Sequence, residues 1–157
     1  MKNAAQALIE PFACDTGGLL KALNALQNTH GYIDAALVPL IADTFNITKA
    51  EVKGVISFYE DFRASPPGKH IVKICQAEAC QAVGARELME KLRSKTGLPS
   101  KDLQCDTSAT NLVTVEPVFC LGLCASGPAA MVDGTLRGRL GADDFANEIK
   151  ALEEAGE

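Results

Sequence analysis

Two cysteine-containing stretches organise the second half of this sequence. The first is Ile71-Val72-Lys73-Ile74-Cys75-Gln76-Ala77-Glu78-Ala79-Cys80, and the second is Cys120-Leu121-Gly122-Leu123-Cys124-Ala125-Ser126-Gly127-Pro128. Each follows a β-rich run, so a loop after a strand can turn both cysteines of a pair toward a common point. Four thiolates from two loops can enclose a soft metal centre. We therefore predict that Cys75, Cys80, Cys120 and Cys124 ligate a metal centre.

The spacing within each pair bears on the kind of centre. Four residues separate Cys75 from Cys80, and three separate Cys120 from Cys124. Structural zinc sites often have fewer residues between the two cysteines of a pair, because both sulfurs must bind the same small ion. Longer loops suit a [2Fe–2S] cluster, whose two irons are completed by four cysteine thiolates. The spacing favours [2Fe–2S], and zinc remains an alternative.

Neighbouring residues fit an electron-transfer centre. Leu121 and Leu123 would limit water access, and the small residues of the second loop would let backbone N–H groups approach sulfur. A carboxylate at Glu78, inside the first loop, would oppose the addition of an electron, which predicts a low reduction potential. The remaining cysteines and the histidines have no close partner in the sequence and are expected to be ordinary residues: Cys14, Cys105, His30 and His70.

The run Arg63-Ala64-Ser65-Pro66-Pro67-Gly68-Lys69 predicts a domain boundary near residues 64–68, because neither helix nor strand should cross it. Residues 1–65 are expected to form a three-helix bundle. The first helix carries leucines from Leu19 to Leu26 and stops at Gly31. The second starts near the N-cap Asp34 and is delayed or kinked by Pro39. The third starts at a capping box of Thr48 and Glu51.

Residues 69–157 have a different pattern. We predict a strand at 71–75, a helix at 82–95 with Val83 facing inward, and strands at 112–118, 129–132 and 135–137. Asp133-Gly134 predicts a two-residue hairpin between the last two strands, and a final helix covers 143–154. This order indicates a mixed α+β or α/β domain, with a sheet covered by helices.

Composition excludes several classes of function. The 157 residues contain 15 Lys and Arg against 20 Asp and Glu, a net charge of −5, which disfavours a nucleic-acid partner. No apolar run approaches the roughly 18 residues of a membrane span, so no membrane insertion is expected. The N-terminal residues lack a secretory signal, and closely spaced cysteines suit a reducing compartment, so we expect a cytoplasmic protein.

Motifs for a complete active site are not evident. The sequence has no Gly-x-Gly-x-x-Gly after a strand, no phosphate-binding P-loop and no recognisable catalytic triad. We therefore expect no catalytic residues in this chain. It is more plausible as an electron relay than as a complete enzyme.

The sequence resembles the small thioredoxin-like [2Fe–2S] subunit of NADH-oxidising modules, the family that includes a subunit of respiratory complex I. The resemblance is carried by the two cysteine pairs, by Gly31-Tyr32, and by Glu51-Val52-x-Gly54-Val55-x-Ser57-Phe58-Tyr59. It implies a thioredoxin-like [2Fe–2S] ferredoxin domain at 69–157 and a cluster held by the four cysteines named above. It also implies a flavoprotein partner that carries FMN, the NAD site and further iron–sulfur clusters.

Within this family the sequence is most similar to gamma-type subunits of soluble, molybdenum-containing, NAD-dependent formate dehydrogenases. The similar residues are Gln76-Ala77-Glu78-Ala79, Cys120–Pro128, Met131-Val132-Asp133-Gly134 and Arg137-Gly138-Arg139-Leu140. This resemblance implies a molybdenum-containing catalytic subunit, reached through the flavoprotein. The equivalent subunits of a respiratory NADH:quinone oxidoreductase or an NAD-linked hydrogenase are the alternatives.

Three other classes of function compete with this interpretation. A redox-sensing DNA-binding protein would use the short helix that opens at Thr48-Lys49, although Lys49 and Lys53 alone would give it cations. A zinc-stabilised interaction module would use the same four cysteines. A free-standing ferredoxin would pass electrons without a permanent partner.

Overall fold

The computed structural model describes residues 2–98 and 105–155 of the chain. Contacts divide the chain into two compact units, with the boundary between Pro66 and Pro67. In chain order the elements are α1 (Lys2–Ile9), α2 (Gly18–His30), α3 (Val38–Phe45), α4 (Lys49–Phe58), β1 (His70–Cys75), α5 (Glu78–Gln81), α6 (Ala85–Lys95), β2 (Asp106–Thr107), β3 (Val113–Val118), β4 (Ala130–Val132), β5 (Thr135–Arg137) and α7 (Ala142–Ala155). None of the helices in the described ranges is long and apolar enough to cross a membrane.

The described residues of the first unit form four α-helices, one more than the predicted three-helix bundle. The additional helix is α1, which buries Ala5 and Ile9 almost completely in a shared core. Its few large apolar residues give a weak helical pattern in isolation, and tertiary packing stabilises it instead. The buried core of this unit consists of Ala5, Ile9, Ala22, Leu23, Leu26, Ile33, Leu37, Val38, Ile41, Ala42 and Val52.

Three helix signals predicted from the sequence, at Gly31, Asp34 and Thr48, are confirmed. Gly31 ends α2 in the left-handed conformation, with φ of 81°. The Asp34 carboxylate accepts a hydrogen bond from Ala36 N at 2.8 Å and caps a 3₁₀ turn, after which α3 begins with Pro39 in its first turn. The capping box of Thr48 and Glu51 opens α4.

In the described part of the second unit, five strands form a mixed sheet in the order β2-β3-β1-β4-β5. Strands β1 and β3 are parallel, and the other neighbouring pairs are antiparallel. The register places Cys75 opposite Val118, so β1 and β3 end at the same edge of the sheet. Asp133 and Gly134, with φ of 48° and 83°, confirm the predicted hairpin between β4 and β5.

Alternate residues of the central strands form the main core of this unit. Val72 and Ile74 of β1 are fully buried, as are Val113 and Val115 of β3. Because side chains alternate across a strand, these four lie on one face of the sheet. They share a core with Leu88, Met89 and Leu92 of α6 and Phe145, Ala146 and Ile149 of α7. Both helices therefore pack against the sheet through this core.

Two details differ from the sequence-based expectation. The predicted helix at 82–95 divides into the single turn α5 and helix α6, which starts at Ala85 after Gly84 with φ of 102°. The break turns Val83 outward, so its side chain is 54% exposed rather than buried as predicted. Strand β2 was not predicted because it has only two residues, too few for a periodic pattern.

Candidate metal centre

Strand topology brings the two cysteine loops to one edge of the sheet. Cys75 is the last residue of β1, and Gln76 N donates a hydrogen bond to Val118 O, at the end of β3, at 2.7 Å. Cys120 comes two residues after Val118. Because parallel strands point the same way, the loops that leave β1 and β3 start side by side.

The first loop folds back so that its two cysteines meet. The turn α5 carries Cys80, whose N–H donates to Ala77 O at 2.9 Å. The side chains of Cys75 and Cys80 interact directly, and each residue is only 1% exposed. This pair forms the buried side of the site.

The second loop holds its two cysteines on the exposed side of the site. Cys120 has a positive φ of 78°, which is uncommon for a residue with a side chain, and Gly122 follows with φ of 77°. This turn lets Gly122 N donate to Cys120 Sγ at 3.4 Å. The Sγ atoms of Cys120 and Cys124 lie 3.7 Å apart, and both residues are exposed.

The two loops contact each other through the cysteines. Cys75 Sγ accepts backbone hydrogen bonds from Leu121 and Cys120 of the second loop, and the charges of Cys75 and Cys124 also interact. On the other side, Cys80 Sγ accepts a backbone hydrogen bond from Ala129. The structure thus brings all four predicted cysteines together.

Two of the four thiols have a raised pKa, in part because a neighbouring cysteine disfavours their ionisation. Burial and the neighbouring Cys75 raise the pKa of Cys80, while the adjacent Cys120 raises the pKa of Cys124. Burial also acts to raise the pKa of Cys75, but hydrogen bonds from Ala77, Leu121, Cys80 and Cys120 outweigh it and lower that pKa. Four thiolates at neutral pH would therefore need compensating positive charge, which bound metal ions supply.

The sulfur geometry fits metal ligation. A tetrahedral metal site with metal–sulfur bonds of about 2.3 Å places its sulfurs about 3.8 Å apart. The distance of 3.7 Å between Cys120 Sγ and Cys124 Sγ matches this edge. Across residues 2–98 and 105–155, no group of three or more His, Cys, Asp and Glu side chains is arranged to hold a single metal ion. The cysteines contact one another as two pairs.

Two glycines support the site and were not singled out from the sequence. A Cβ on Gly127 would lie 2.9 Å from Val83 Cγ2 and 3.3 Å from Cys80 Sγ. A Cβ on Gly138 would lie 2.6 Å from Ser126 O, in the turn that carries Cys124. Each glycine therefore permits a close approach to a cysteine loop. Their sequence signals are a Gly-Pro turn dipeptide at Gly127 and an isolated glycine at Gly138, and neither signal indicates a close approach to a cysteine loop.

The other candidate residues lie beside the site or away from it. Leu121 and Leu123 are partly buried and pack against the cluster that contains Cys75 and Cys80, and Glu78 is exposed at the first position of α5. The cysteines and histidines predicted to be ordinary residues are distributed elsewhere: Cys14 is exposed in the first unit, Cys105 Sγ lies 3.6 Å from Glu116 Oε1, His30 ends α2, and His70 Nδ1 lies 2.7 Å from Asp133 Oδ2.

Comparison with known proteins agrees with this geometry. The sequence model of the thioredoxin-like [2Fe–2S] ferredoxin family matches residues 5–153. A subunit of the NADH-quinone oxidoreductase of Pseudomonas aeruginosa is 28% identical over 132 residues, which are 84% of this chain and 77% of that protein. The HndA subunit of the NADP-reducing hydrogenase of Solidesulfovibrio fructosivorans is 27% identical over 132 residues, 84% of this chain and 75% of that subunit.

Solved structures share the fold. A crystal structure of NAD+-reducing [NiFe]-hydrogenase in the air-oxidized state superposes with a TM-score of 0.70 and 22% sequence identity. The match covers 88% of this chain but only 23% of the hydrogenase chain. The second unit comprises only residues 67–157, so the match includes most of the first unit as well.

Proposed function

Because this chain belongs to the thioredoxin-like [2Fe–2S] ferredoxin family, we propose that it is the electron-transfer subunit of an NAD-linked oxidoreductase. A [2Fe–2S] cluster is its cofactor, and Cys75, Cys80, Cys120 and Cys124 are its proposed ligands. The observation that carries this proposal is the meeting of both cysteine pairs at one edge of the sheet. These four thiolates, two from each loop, would hold the cluster.

The residues around the cysteines would stabilise the charge of the cluster and limit its contact with water. The bound cluster supplies one-electron chemistry. Backbone N–H groups of Ala77, Leu121 and Ala129 donate hydrogen bonds to sulfur and stabilise negative charge there. Leu121 and Leu123 cover the buried pair and exclude water from it. The exposed pair gives a redox partner access to the site.

Of the possible assemblies, we propose an NAD-dependent formate dehydrogenase of the molybdenum-containing type. Support comes from the sequence around the ligands, namely Gln76-Ala77-Glu78-Ala79 and the run from Cys120 to Pro128. FMN and NAD would bind the flavoprotein partner, since this chain has no nucleotide-binding motif. We further propose that the chain acts in the cytoplasm and that residues 1–65 and 69–157 are separate domains.

A second candidate function is the equivalent subunit of a respiratory NADH:quinone oxidoreductase or an NAD-linked hydrogenase. It is favoured by the similarity to a subunit of an NADH-quinone oxidoreductase and to HndA of a hydrogenase. All three assemblies would use the cysteine site in the same way. They differ in the catalytic subunit beyond the flavoprotein.

The experiment that separates these assemblies is anaerobic purification of the tagged full-length chain from its own organism. We expect a flavoprotein subunit and a molybdenum-containing subunit to co-purify, with formate-dependent reduction of NAD. Quinone-reductase or nickel–iron subunits in their place would support the second candidate. A chain that purifies alone from cells that contain the flavoprotein would contradict both.

Replacing Gly127 with alanine should weaken retention of the cluster. The new Cβ would lie 3.3 Å from Cys80 Sγ. A sulfur atom bonded to iron cannot move aside, whereas the side chain of Val83, the other close neighbour, can rotate away. We expect iron loss to a chelator to accelerate roughly 3–10-fold, a change consistent with altered support of a metal ligand. The decay of visible absorbance at fixed chelator concentration measures this rate. Gly54→Ala is the matched control, because no described atom lies within 4 Å of a Cβ at that position. Equal decay rates for the Gly127→Ala and Gly54→Ala proteins would contradict the prediction.

Replacing Glu78 with glutamine should raise the reduction potential. The change removes an exposed negative charge from between two proposed ligands, and such a charge disfavours the reduced state. Because solvent screens this charge, we expect an upward shift of roughly 10–40 mV. Redox titration followed by electron paramagnetic resonance measures the shift. Glu90→Gln makes the same charge change on α6 and should leave the reduction potential nearly unchanged. An unaltered potential in the Glu78→Gln protein would show that the Glu78 carboxylate does not act on the cluster.

A further inference from the structure

The residues that follow the two cysteines of the first loop are both glutamines, and their side chains brace that loop. Gln76 follows Cys75 and is only 4% exposed, and its Nε2 donates a hydrogen bond to Ala85 O at 3.2 Å. Gln81 follows Cys80, and its Nε2 donates a hydrogen bond to Gln76 O at 2.6 Å. These contacts tie the two ends of the loop to each other and to the start of α6, and neither contact involves a sulfur atom.

The Gln81 side chain also contacts an exposed positive charge. Arg86 lies in the first turn of α6, and its Nε donates a hydrogen bond to Gln81 Oε1 at 2.9 Å. The Gln81 amide therefore accepts at its oxygen and donates at its nitrogen. The reverse orientation would place the amide NH2 group against the Arg86 N–H and the amide oxygen against Gln76 O, so the two partners fix the orientation.

The peptide bond between Gln76 and Ala77 continues this series of contacts to a sulfur atom. Its oxygen accepts the hydrogen bond from Gln81, and its N–H, at Ala77, donates to Cys75 Sγ. Three consecutive hydrogen bonds, passing through two amide groups, thereby link the Arg86 guanidinium to the Cys75 sulfur. We call this series the Arg86 path: Arg86 Nε to Gln81 Oε1, Gln81 Nε2 to Gln76 O, and Ala77 N to Cys75 Sγ.

All three hydrogen bonds of the Arg86 path run in the same direction. In each amide group the oxygen accepts and the nitrogen donates, and hydrogen bonds arranged in series polarise and strengthen one another. The guanidinium at the outer end carries a permanent positive charge, which strengthens the first hydrogen bond. Ala77 N–H, at the inner end, becomes a better donor as a result. A better donor stabilises negative charge on the sulfur that accepts from it.

We propose that Arg86 raises the reduction potential of the cluster through the Arg86 path and that Gln81 transmits this effect. The inference rests on the proposed function, because it requires a cluster bound at Cys75. Reduction adds one negative charge to the cluster, and a stronger hydrogen bond to a ligand sulfur stabilises that charge. Arg86 therefore acts in the opposite direction to Glu78, whose carboxylate opposes reduction. Both Arg86 and Gln81 act through Ala77 N–H, so they are positioning residues and not ligands.

A direct effect of the Arg86 charge through space is the alternative that a test must separate. Arg86 is exposed, so solvent and dissolved salt screen such a direct effect. An effect carried by hydrogen bonds is largely insensitive to salt, and it requires every intervening group. The two routes therefore predict different results when Gln81 is replaced.

The test is a double-substitution cycle on the full-length chain purified without oxygen. Arg86→Met removes the charge and the Nε donor and keeps an apolar stem. Gln81→Met removes both hydrogen bonds of the amide at nearly the same side-chain length. Redox titration followed by electron paramagnetic resonance measures the potential. We expect Arg86→Met to lower the potential in the wild-type background, and to change it by less than about half as much in the Gln81→Met background.

Two substitutions control for the loss of charge and for the loss of a bridging amide. Lys95→Met removes an exposed positive charge from the last turn of α6, about 13 Å along the helix from Arg86, and should leave the potential nearly unchanged. Gln27 bridges two segments of the first unit, since its Nε2 donates to Asp61 O and its Oε1 accepts from Arg63 N, both at 2.7 Å. Gln27→Met should lower the melting temperature without changing the potential.

The outcomes separate the Arg86 path from a direct charge effect and from the function on which it rests. Equal shifts from Arg86→Met in both backgrounds, or no shift at all, would overturn the inference and leave the proposed function standing. If Gln81→Met does not retain the cluster, the Arg86→Met shift is compared at about 0.05 M and about 0.5 M salt. A shift that persists supports the path, and a shift that disappears at high salt contradicts it. A wild-type chain that holds no cluster would contradict the proposed function itself.

Discussion

Cys80→Ala is expected to eliminate the cluster. Cys80 is 1% exposed and its side chain contacts that of Cys75, so no water or surface residue can replace its sulfur. An iron left with an incomplete ligand set is readily lost. We expect the iron content of anaerobically purified protein to fall at least about tenfold, with loss of the visible absorbance.

Cys105→Ala is the control for this substitution. Cys105 lies in the same unit and its sulfur contacts Glu116, away from the other cysteines. We expect it to retain wild-type iron and sulfide. A Cys80→Ala protein with full iron content and an unchanged spectrum would show that Cys80 is not a ligand. Equal loss in both variants would indicate a general folding defect.

Removing residues 1–66 is expected to abolish stable association with the flavoprotein while leaving the cluster in place. The cut follows the boundary between the two units, and each unit has its own hydrophobic core. All four proposed ligands remain in residues 67–157. We expect the affinity for the flavoprotein to fall at least about 100-fold, since the exposed aromatic residues Phe58 and Tyr59 are lost with the first unit.

Two readouts on the same shortened chain decide this prediction. The visible spectrum should match that of the full chain, which would also support two independent domains. Loss of the spectrum would show that the second unit needs the first in order to fold. Undiminished binding of the flavoprotein would place the docking surface in residues 67–157.

Local chemistry explains which features were predictable from the sequence. The capping box of Thr48 and Glu51 and the hairpin at Asp133-Gly134 depend on contacts within a few residues, so their patterns were sufficient. The positions of the two cysteine loops at strand ends were predictable, because each pair follows a β-rich run. Their convergence depends on the parallel pairing of β1 and β3, which the structure supplies.

Features set by distant contacts could not be predicted. Helix α1 is stabilised by burial of Ala5 and Ile9 in a core formed by other helices, not by its own pattern. Val83 turns outward because Gly84 breaks the helix before α6. The role of Gly127 depends on its approach to Cys80 Sγ, 47 positions earlier in the chain. No local signal reveals such an approach.

This chain specifies its [2Fe–2S] cofactor more closely than the type of multisubunit enzyme to which it belongs, and the reason is again physical. The cysteines and their hydrogen-bond donors lie within this chain, and the family match specifies a [2Fe–2S] cluster. Formate dehydrogenase, hydrogenase and quinone reductase differ in subunits beyond the flavoprotein. Residues of this chain would encode that difference only through their contacts with a partner.

The most direct test of the central claim is the iron, acid-labile sulfide and zinc content of the full-length chain purified without oxygen. We predict two irons and two sulfides per chain, bound by four cysteine sulfurs at the shared end of β1 and β3. One zinc per chain with no sulfide would contradict this prediction, because a zinc ion has no redox chemistry and could not carry electrons between redox partners.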